Sequence, residues 1–167
     1  MPLVLFRIDD RLIHGQVVVG WANALKADYI IIINDAVARN ELQKCLLKMA
    51  VPPEIKVDIF TVNDFNFKSD SKEILEKRVI IIISNPEDCL RLYEKGFIME
   101  EINLGGMRCS GNRKQFTSCI YLNDEDIAVF KKLSEKGVRV EIKMLPVDKG
   151  IDLYQCLLKG GCHLEKD

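Results

Sequence analysis

The hydrophobic positions of this chain follow two rhythms that alternate along its length. Short runs rich in β-branched residues recur at residues 3–8, 29–34, 56–60, 79–84, 101–104, 118–122 and 138–143, and each reads as a strand. Two of them, Tyr29-Ile-Ile-Ile-Ile33 and Val79-Ile-Ile-Ile-Ile83, are apolar at every position. A strand without a polar face has to be covered on both sides, as in a parallel sheet sandwiched between helices. Between the runs lie segments of helical period at residues 16–25, 40–49, 86–95, 125–136 and 153–159. Their punctuation agrees. Asn85 and Pro86 supply a cap and a first helical proline, and Gly96 and Gly137 follow Lys95 and Lys136 where helices end. Residues 63–77 carry a weaker pattern, read as two short helical turns. Alternating strands and helices predict an α/β fold, an open, twisted, mainly parallel sheet of about seven strands with helices on both faces. No repeat, low-complexity stretch or linker interrupts the pattern, so residues 1–167 are read as a single domain.

Composition narrows the function classes. Hydrophobic residues make up 48% of the chain, enough for a core without cross-links. Lys and Arg number 24 against 25 Asp and Glu, a net charge of −1. That balance argues against nucleic acid as a partner, while leaving room for a local basic patch around one anion. The six cysteines form no C-x-x-C pair and sit inside apolar segments, so reduced and mostly buried thiols are expected. The opening Met1-Pro-Leu-Val-Leu-Phe-Arg7 lacks a basic region and soon meets Asp9 and Asp10, unlike a signal peptide. The longest apolar runs fall well short of the roughly 18 residues of a membrane span, so a cytoplasmic protein is predicted. His14 and His163 are far apart and no Cys/His/Asp cluster has ligand spacing, so neither a metal nor a cofactor is expected.

Ligands of doubly wound sheets bind beyond the carboxyl ends of the strands, which directs attention to residues 9–15, 34–39, 84–88 and 105–113. The first of these loops holds Asp9, Asp10, Arg11, His14 and Gly15 before a helix opens at Gln16. The unpaired amides of a helix's first turn attract anions. Arg11 offers a two-pronged fork for phosphate oxygens, and Gly15 lets the backbone approach them. A neutral imidazole is a nucleophile, and phosphoryl transfer asks chiefly for positioning and charge stabilisation. His14 is therefore read as a histidine that accepts and donates a phosphoryl group, against the alternative of an ordinary surface or capping histidine. Either Asp9 or Asp10 could hold its far ring nitrogen. In the loop at residues 105–113, two glycines permit a tight turn near the phosphoryl group, and Arg108 adds charge or meets a partner. Trp21 is expected to pack against the sheet, and His163, near the C-terminus, to have no role. Neither G-x-G-x-x-G after the first strand nor G-x-x-x-x-G-K-[ST] occurs, which argues against a nucleotide enzyme. Ile13 before His14 departs from the Arg-His-Gly of histidine phosphatases.

Arg7-Ile-Asp-Asp-Arg-Leu-Ile-His-Gly-Gln-Val17 followed by Trp21 resembles the EIIB component of the mannose/fructose/sorbose family of the sugar phosphotransferase system (PTS). Asn103-Leu-Gly-Gly-Met-Arg108 with Arg113, Gln115 and Thr117 is similar to that family too, as is Leu133-Ser-Glu-Lys-Gly-Val138 leading to Leu145-Pro146. The resemblance implies a protein-phosphohistidine–sugar phosphotransferase. Such a carrier takes a phosphoryl group from EIIA and passes it to a sugar entering through the membrane components EIIC and EIID, with which it associates peripherally. It implies that His14 is phosphorylated on the ring nitrogen nearest Cβ, that Arg11 binds the phosphoryl group, and that Asp10, Gly15, Gln16 and Arg108 are its neighbours. A regulatory homologue that keeps the fold without the transfer is the alternative. The sugar itself is not legible in the chain.

Overall fold

The computed structural model describes residues 3–66 and 76–159. In chain order, β1 (Leu3–Asp9) leads into a π-helix (Gln16–Ala22), followed by β2 (Tyr29–Ile33), α1 (Asp35–Ala38), α2 (Glu41–Met49), β3 (Lys56–Phe60) and β4 (Val79–Ile83). Then come α3 (Pro86–Glu94), β5 (Glu101–Gly106), β6 (Lys114–Gln115), β7 (Tyr121–Leu122), α4 (Asp124–Glu135), β8 (Arg139–Ile142), β9 (Ile151–Asp152) and α5 (Leu153–Leu158). Seven strands form one sheet in the order β3-β2-β4-β1-β5-β8-β9, parallel except for β9, which runs antiparallel to β8.

The two all-apolar runs lie side by side, with Ile30 to Ile33 of β2 in register with Ile80 to Ile83 of β4. Every residue of both strands is at most 1% exposed, because alternate positions feed different cores. Tyr29, Ile31, Ile33, Val79, Ile81 and Ile83 pack with residues of α3, α4 and α5. Ile30, Ile32, Ile80 and Ile82 pack with Val17, Val18, Trp21 and Ala22 of the π-helix and Val37 of α1. Each isoleucine so buried contributes about 1.5–3 kcal/mol, so these strands are the mechanical centre of the domain. The expected α/β architecture with helices on both faces is thus the one the chain adopts.

Details depart from expectation where a pattern is too short to read. Of residues 118–122 only Tyr121–Leu122 is a strand, and it pairs with β6 in a separate antiparallel ribbon. The seventh sheet strand is instead the two-residue β9. The helix beginning at Gln16 is wound as a π-helix through Ala22. The short α1, which was not anticipated, is capped by Asn34, whose side chain accepts from the Val37 amide. Two of the cysteines, Cys45 and Cys109, are exposed thiols, and Cys156 is disulfide-bonded, so reduced and mostly buried thiols do not describe the set. Residues 67–75 of the weakly patterned stretch, together with Cys162 and His163, lie outside the described residues.

The topology also locates a crevice. From β1 the chain crosses past β4 to β2 in one direction along the sheet, whereas from β5, which pairs with β1, it proceeds to β8 in the opposite direction. Loops leaving adjacent strands in opposite directions open a cleft at their carboxyl ends, here between β1 and β5.

Candidate functional site

Strand β1 carries the chemistry on one face. Phe6 and Ile8 enter the core beneath α3 and α4, so Arg7 and Asp9 point to the side of the π-helix. Both are fully buried. A buried charge survives only when paired and hydrogen-bonded, and these two are. Arg7 donates through Nη2 and Nε to Asp9 Oδ2, at 2.8 and 3.2 Å. Its Nη1 donates to Asn103 Oδ1 and, at 3.1 Å, to the Lys143 carbonyl. Asn103 lies opposite Arg7 in the β1–β5 register and donates to the same carbonyl at 3.0 Å. The guanidinium also sits 5.7 Å from the centroid of Trp21, whose Nε1 donates to the Met144 carbonyl at 2.8 Å. Trp21 is 7% exposed, packed against the sheet as expected.

Gly105 and Gly106 have a different purpose from the turn anticipated for them. They are the last residues of β5, not a turn. A Cβ at Gly105 would fall 1.8 Å from Arg7 Cζ, and one at Gly106 would fall 2.9 Å from Arg11 Nη2 and 3.0 Å from Asp9 Oδ1. The missing side chains are the room in which the two guanidinium groups lie.

Beyond Asp9 the chain turns sharply. The Leu12 amide donates to the Asp9 carbonyl at 3.0 Å, and Leu12 takes φ 57°, a left-handed conformation that costs a leucine of order 1 kcal/mol. Burial of Leu12 and Ile13 in the core under the π-helix offsets that cost and fixes the loop. The turn brings His14 back over Asp9, with Nε2 2.9 Å from Oδ2. Arg11 closes the cluster. Its amide and Nε each donate to Asp9 Oδ1 at 3.1 Å, and Nη2 donates to Asp9 Oδ2 at 3.2 Å and to Gln16 Oε1 at 3.1 Å. Asp9 is therefore held by two arginines and a histidine. Burial alone would raise its pKa, but the hydrogen bonds from His14 and Arg11 and the charge of Arg7 outweigh it and hold the carboxyl well below the usual carboxylate range. Burial lowers the pKa of Arg7, with Asp9 opposing, and a guanidinium remains charged through such a shift.

An ionised carboxylate only accepts, so the Asp9 contact requires the hydrogen of His14 on Nε2. In the neutral ring this leaves the lone pair on Nδ1. The orienting carboxylate is thus Asp9, not Asp10. Asp10 turns instead to the β5 side, where its Oδ2 accepts the Arg108 amide at 2.8 Å and Arg108 Nε at 3.2 Å. The ion pair ties the two loops that border the cleft. Arg108 is 68% exposed. Gly15 precedes the π-helix at an open position, where an added Cβ would meet nothing within 4 Å. The amides of Val17 and Val18 donate to the His14 carbonyl, so those of Gly15 and Gln16 stand ahead of the helical ladder. Arg113 lies away from the cluster, gripping Asp126 in the capping box of α4 with bonds of 2.8 and 3.1 Å.

His14, Arg11, Gly15 and Gln16 therefore converge on one rim, with Asp10 and Arg108 beside it. Sequence reading missed Arg7 and Asn103. Their signal was available in part, since a charged residue between Phe6 and Ile8 in a covered strand demands a buried partner. The identity of that partner depends on a register between strands nearly a hundred residues apart. Among the described residues, no group of three His, Cys, Asp or Glu side chains is arranged to hold a metal ion, and no helix is long and apolar enough to cross a membrane.

Comparison with known proteins places this geometry in context. Residues 3–167 match the family model described as "PTS system sorbose subfamily IIB component". The chain is 35% identical over 157 residues to the PTS system fructose-specific EIIB component of Bacillus subtilis, covering 94% of this chain and 96% of that one. It is 31% identical over 159 residues to the mannose-specific EIIAB component of Escherichia coli K12, covering 95% of this chain and 49% of the longer relative. The crystal structure of the IIBSor domain of the sorbose permease from Klebsiella pneumoniae superposes with a TM-score of 0.87 at 31% identity, over 95% of this chain and 98% of that one.

Proposed function

The chain belongs to the sorbose-subfamily IIB components of the PTS, and from that membership we propose that His14 carries the phosphoryl group on Nδ1, with Arg11 binding the group and Asp9 orienting the ring. EIIB components of this family are phosphotransferases, and this chain is one. The observation that carries the assignment is the 2.9 Å contact between Asp9 Oδ2 and His14 Nε2, which leaves Nδ1 as the nucleophile.

The transfer then follows from the rim. The donor is an EIIA phosphohistidine, a partner consistent with the EIIAB naming of the mannose relative. The Nδ1 lone pair forms a bond to phosphorus as the donor's P–N bond breaks and its electron pair returns to the donor ring. The His14 ring keeps its Nε2 hydrogen and becomes a phosphorylated imidazolium, whose charge the Asp9 carboxylate offsets. Arg11, 31% exposed, and the amides of Gly15 and Gln16 take the phosphoryl oxygens. Gln16 positions Arg11, while Asp10 holds Arg108 at the edge of the cleft for the incoming partner. In the onward step the group passes to a hydroxyl of a sugar presented by EIIC and EIID, with the chain in the cytoplasm against that membrane complex. Residues 1–167 act in this as one domain.

Incubation with phosphoenolpyruvate, the general phosphotransferase proteins and a cognate EIIA tests the reading. An acid-labile, alkali-stable gain of one phosphoryl group on His14 is expected. His14→Ala abolishes it, and Arg11→Ala slows it by on the order of 10²–10³-fold while the domain stays folded. Absence of labelling beside a control EIIB that labels refutes the carrier and leaves the regulatory homologue.

A further inference from the structure

Arg11 has two competing tasks. Its Nε and Nη2 are committed to Asp9 and Gln16, yet a two-pronged grip on a phosphoryl group uses two adjacent N–H groups of the same fork. Nη1 holds neither partner, so a fork of Nη1 and Nη2 forms once Nη2 lets go of Asp9 Oδ2 or Gln16 Oε1, which makes the hold of Arg11 on Asp9 an exchangeable one. When the phosphoryl group arrives His14 becomes cationic, and Asp9 has to stay ionised and in place to hold Nε2.

Arg7 is built to meet that need. It is fully buried, faces no solvent and cannot reach the phosphoryl oxygens. Its Nη2 and Nε hold Asp9 Oδ2 while Nη1 is anchored on Asn103 and the Lys143 carbonyl, so it spans β1, β5 and the loop after β8. The space for it exists because position 105 has no side chain. Resting on the phosphohistidine assignment above, we propose that Arg7 is a positioning residue. It is the fixed counter-ion that keeps Asp9 ionised and aimed at His14 Nε2, and so frees Arg11 to move between Asp9 and the phosphoryl group. Two arginines on one carboxylate then have separate roles, one permanent and one exchangeable.

The wild-type protein provides the first test. Proton–nitrogen NMR follows the Nε–H signals of both arginines before and after phosphorylation by EIIA. The Arg11 signal should shift and the Arg7 signal should stay. Movement of Arg7, or no change at Arg11, overturns the proposal, while failure of His14 to take up phosphate overturns the underlying assignment instead. Two variants give the second test. Arg7→Lys keeps a cation opposite Asp9 but loses the fork, and Gly105→Ala keeps Arg7 but drives a methyl group into its guanidinium. Either should lower kcat for phosphoryl transfer by roughly 10²-fold with KM for EIIA within about twofold, since misplacement by an ångström costs that much and neither residue touches the donor. The acid limb of the rate profile should move to higher pH as Asp9 loses its fixed partner. Arg113→Met serves as a comparison because it breaks a well-shielded ion pair with Asp126 outside the site. If it moves kcat and the pH profile as the two variants do, or if they leave both unchanged, Arg7 is a structural residue only.

Discussion

Asp9 is the residue on which the rim converges, and its environment makes a testable demand on stability. Three side chains meet a carboxylate that solvent does not reach. Because its folded pKa lies below the ordinary carboxylate value of about 3.9, its contribution is fully present above that value and is withdrawn as pH falls below it. Asp9→Asn removes the counter-ion of a buried guanidinium and should cost roughly 3–5 kcal/mol at neutral pH. Denaturant unfolding at pH 7 and pH 3 measures the gap between variant and parent, which should narrow at the lower pH. A gap independent of pH would mean that Asp9 is not ionised in the way its partners require. The identity of this carboxylate was within reach of the sequence. Alternation along β1 puts Arg7 and Asp9 on the face opposite Phe6 and Ile8, and ending the strand at Ile8 hid that relation. The left-handed turn at Leu12 was not within reach, because nothing about leucine announces a positive φ.

At the level of elements, legibility tracked length and periodicity. The isoleucine runs of β2 and β4 declared their double-sided burial outright, and α3 and α4 were marked by Asn85-Pro86, Gly96 and Gly137. The ribbon of β6 and β7 was not legible, since two-residue strands carry no period and depend on a distant partner. The expected strand at residues 118–122 has the right residues, but Ile120 instead bridges to Met107 beyond the end of β5. A subtler case is α2, whose amphipathic pattern suggests a buried face. None of its residues is buried, and Leu42, Leu46 and Met49 are 70%, 57% and 76% exposed. Leu42→Lys and Met49→Lys should therefore change stability by no more than about 0.5 kcal/mol. Ile82→Ala, in a position with no exposure at all, should cost about 2–5 kcal/mol. Thermal unfolding of the three variants checks this ordering, and a large loss at Leu42 would mean that α2 packs against something in solution.

Across the whole molecule, the site sits where a central strand of the sheet passes into the loop beyond its carboxyl end. Arg7 and Asp9 belong to β1, between β4 and β5, while Arg11, His14 and Gly15 stand on a loop projecting from its end. A phosphocarrier needs this division: a buried carboxylate to set the ring, and a rim exposed enough for a donor and an acceptor protein to engage in turn. The division should be visible in amide hydrogen exchange, which reports the free energy of the opening that exposes each bond. Amides of Ile30 to Ile33 and Ile80 to Ile83, shielded by helices on both faces, should exchange only through global unfolding. Those of α2, with no buried residue, should exchange through local opening at a far lower free energy. Phosphorylation of His14 should then slow exchange at Gly15 and Gln16, whose amides would donate to the phosphoryl oxygens, and leave the central strands as they were. Slowing confined to the central strands would contradict the rim as the binding element. Protection of α2 as strong as that of β4 would reveal a covered surface there, and with it an assembly larger than one chain.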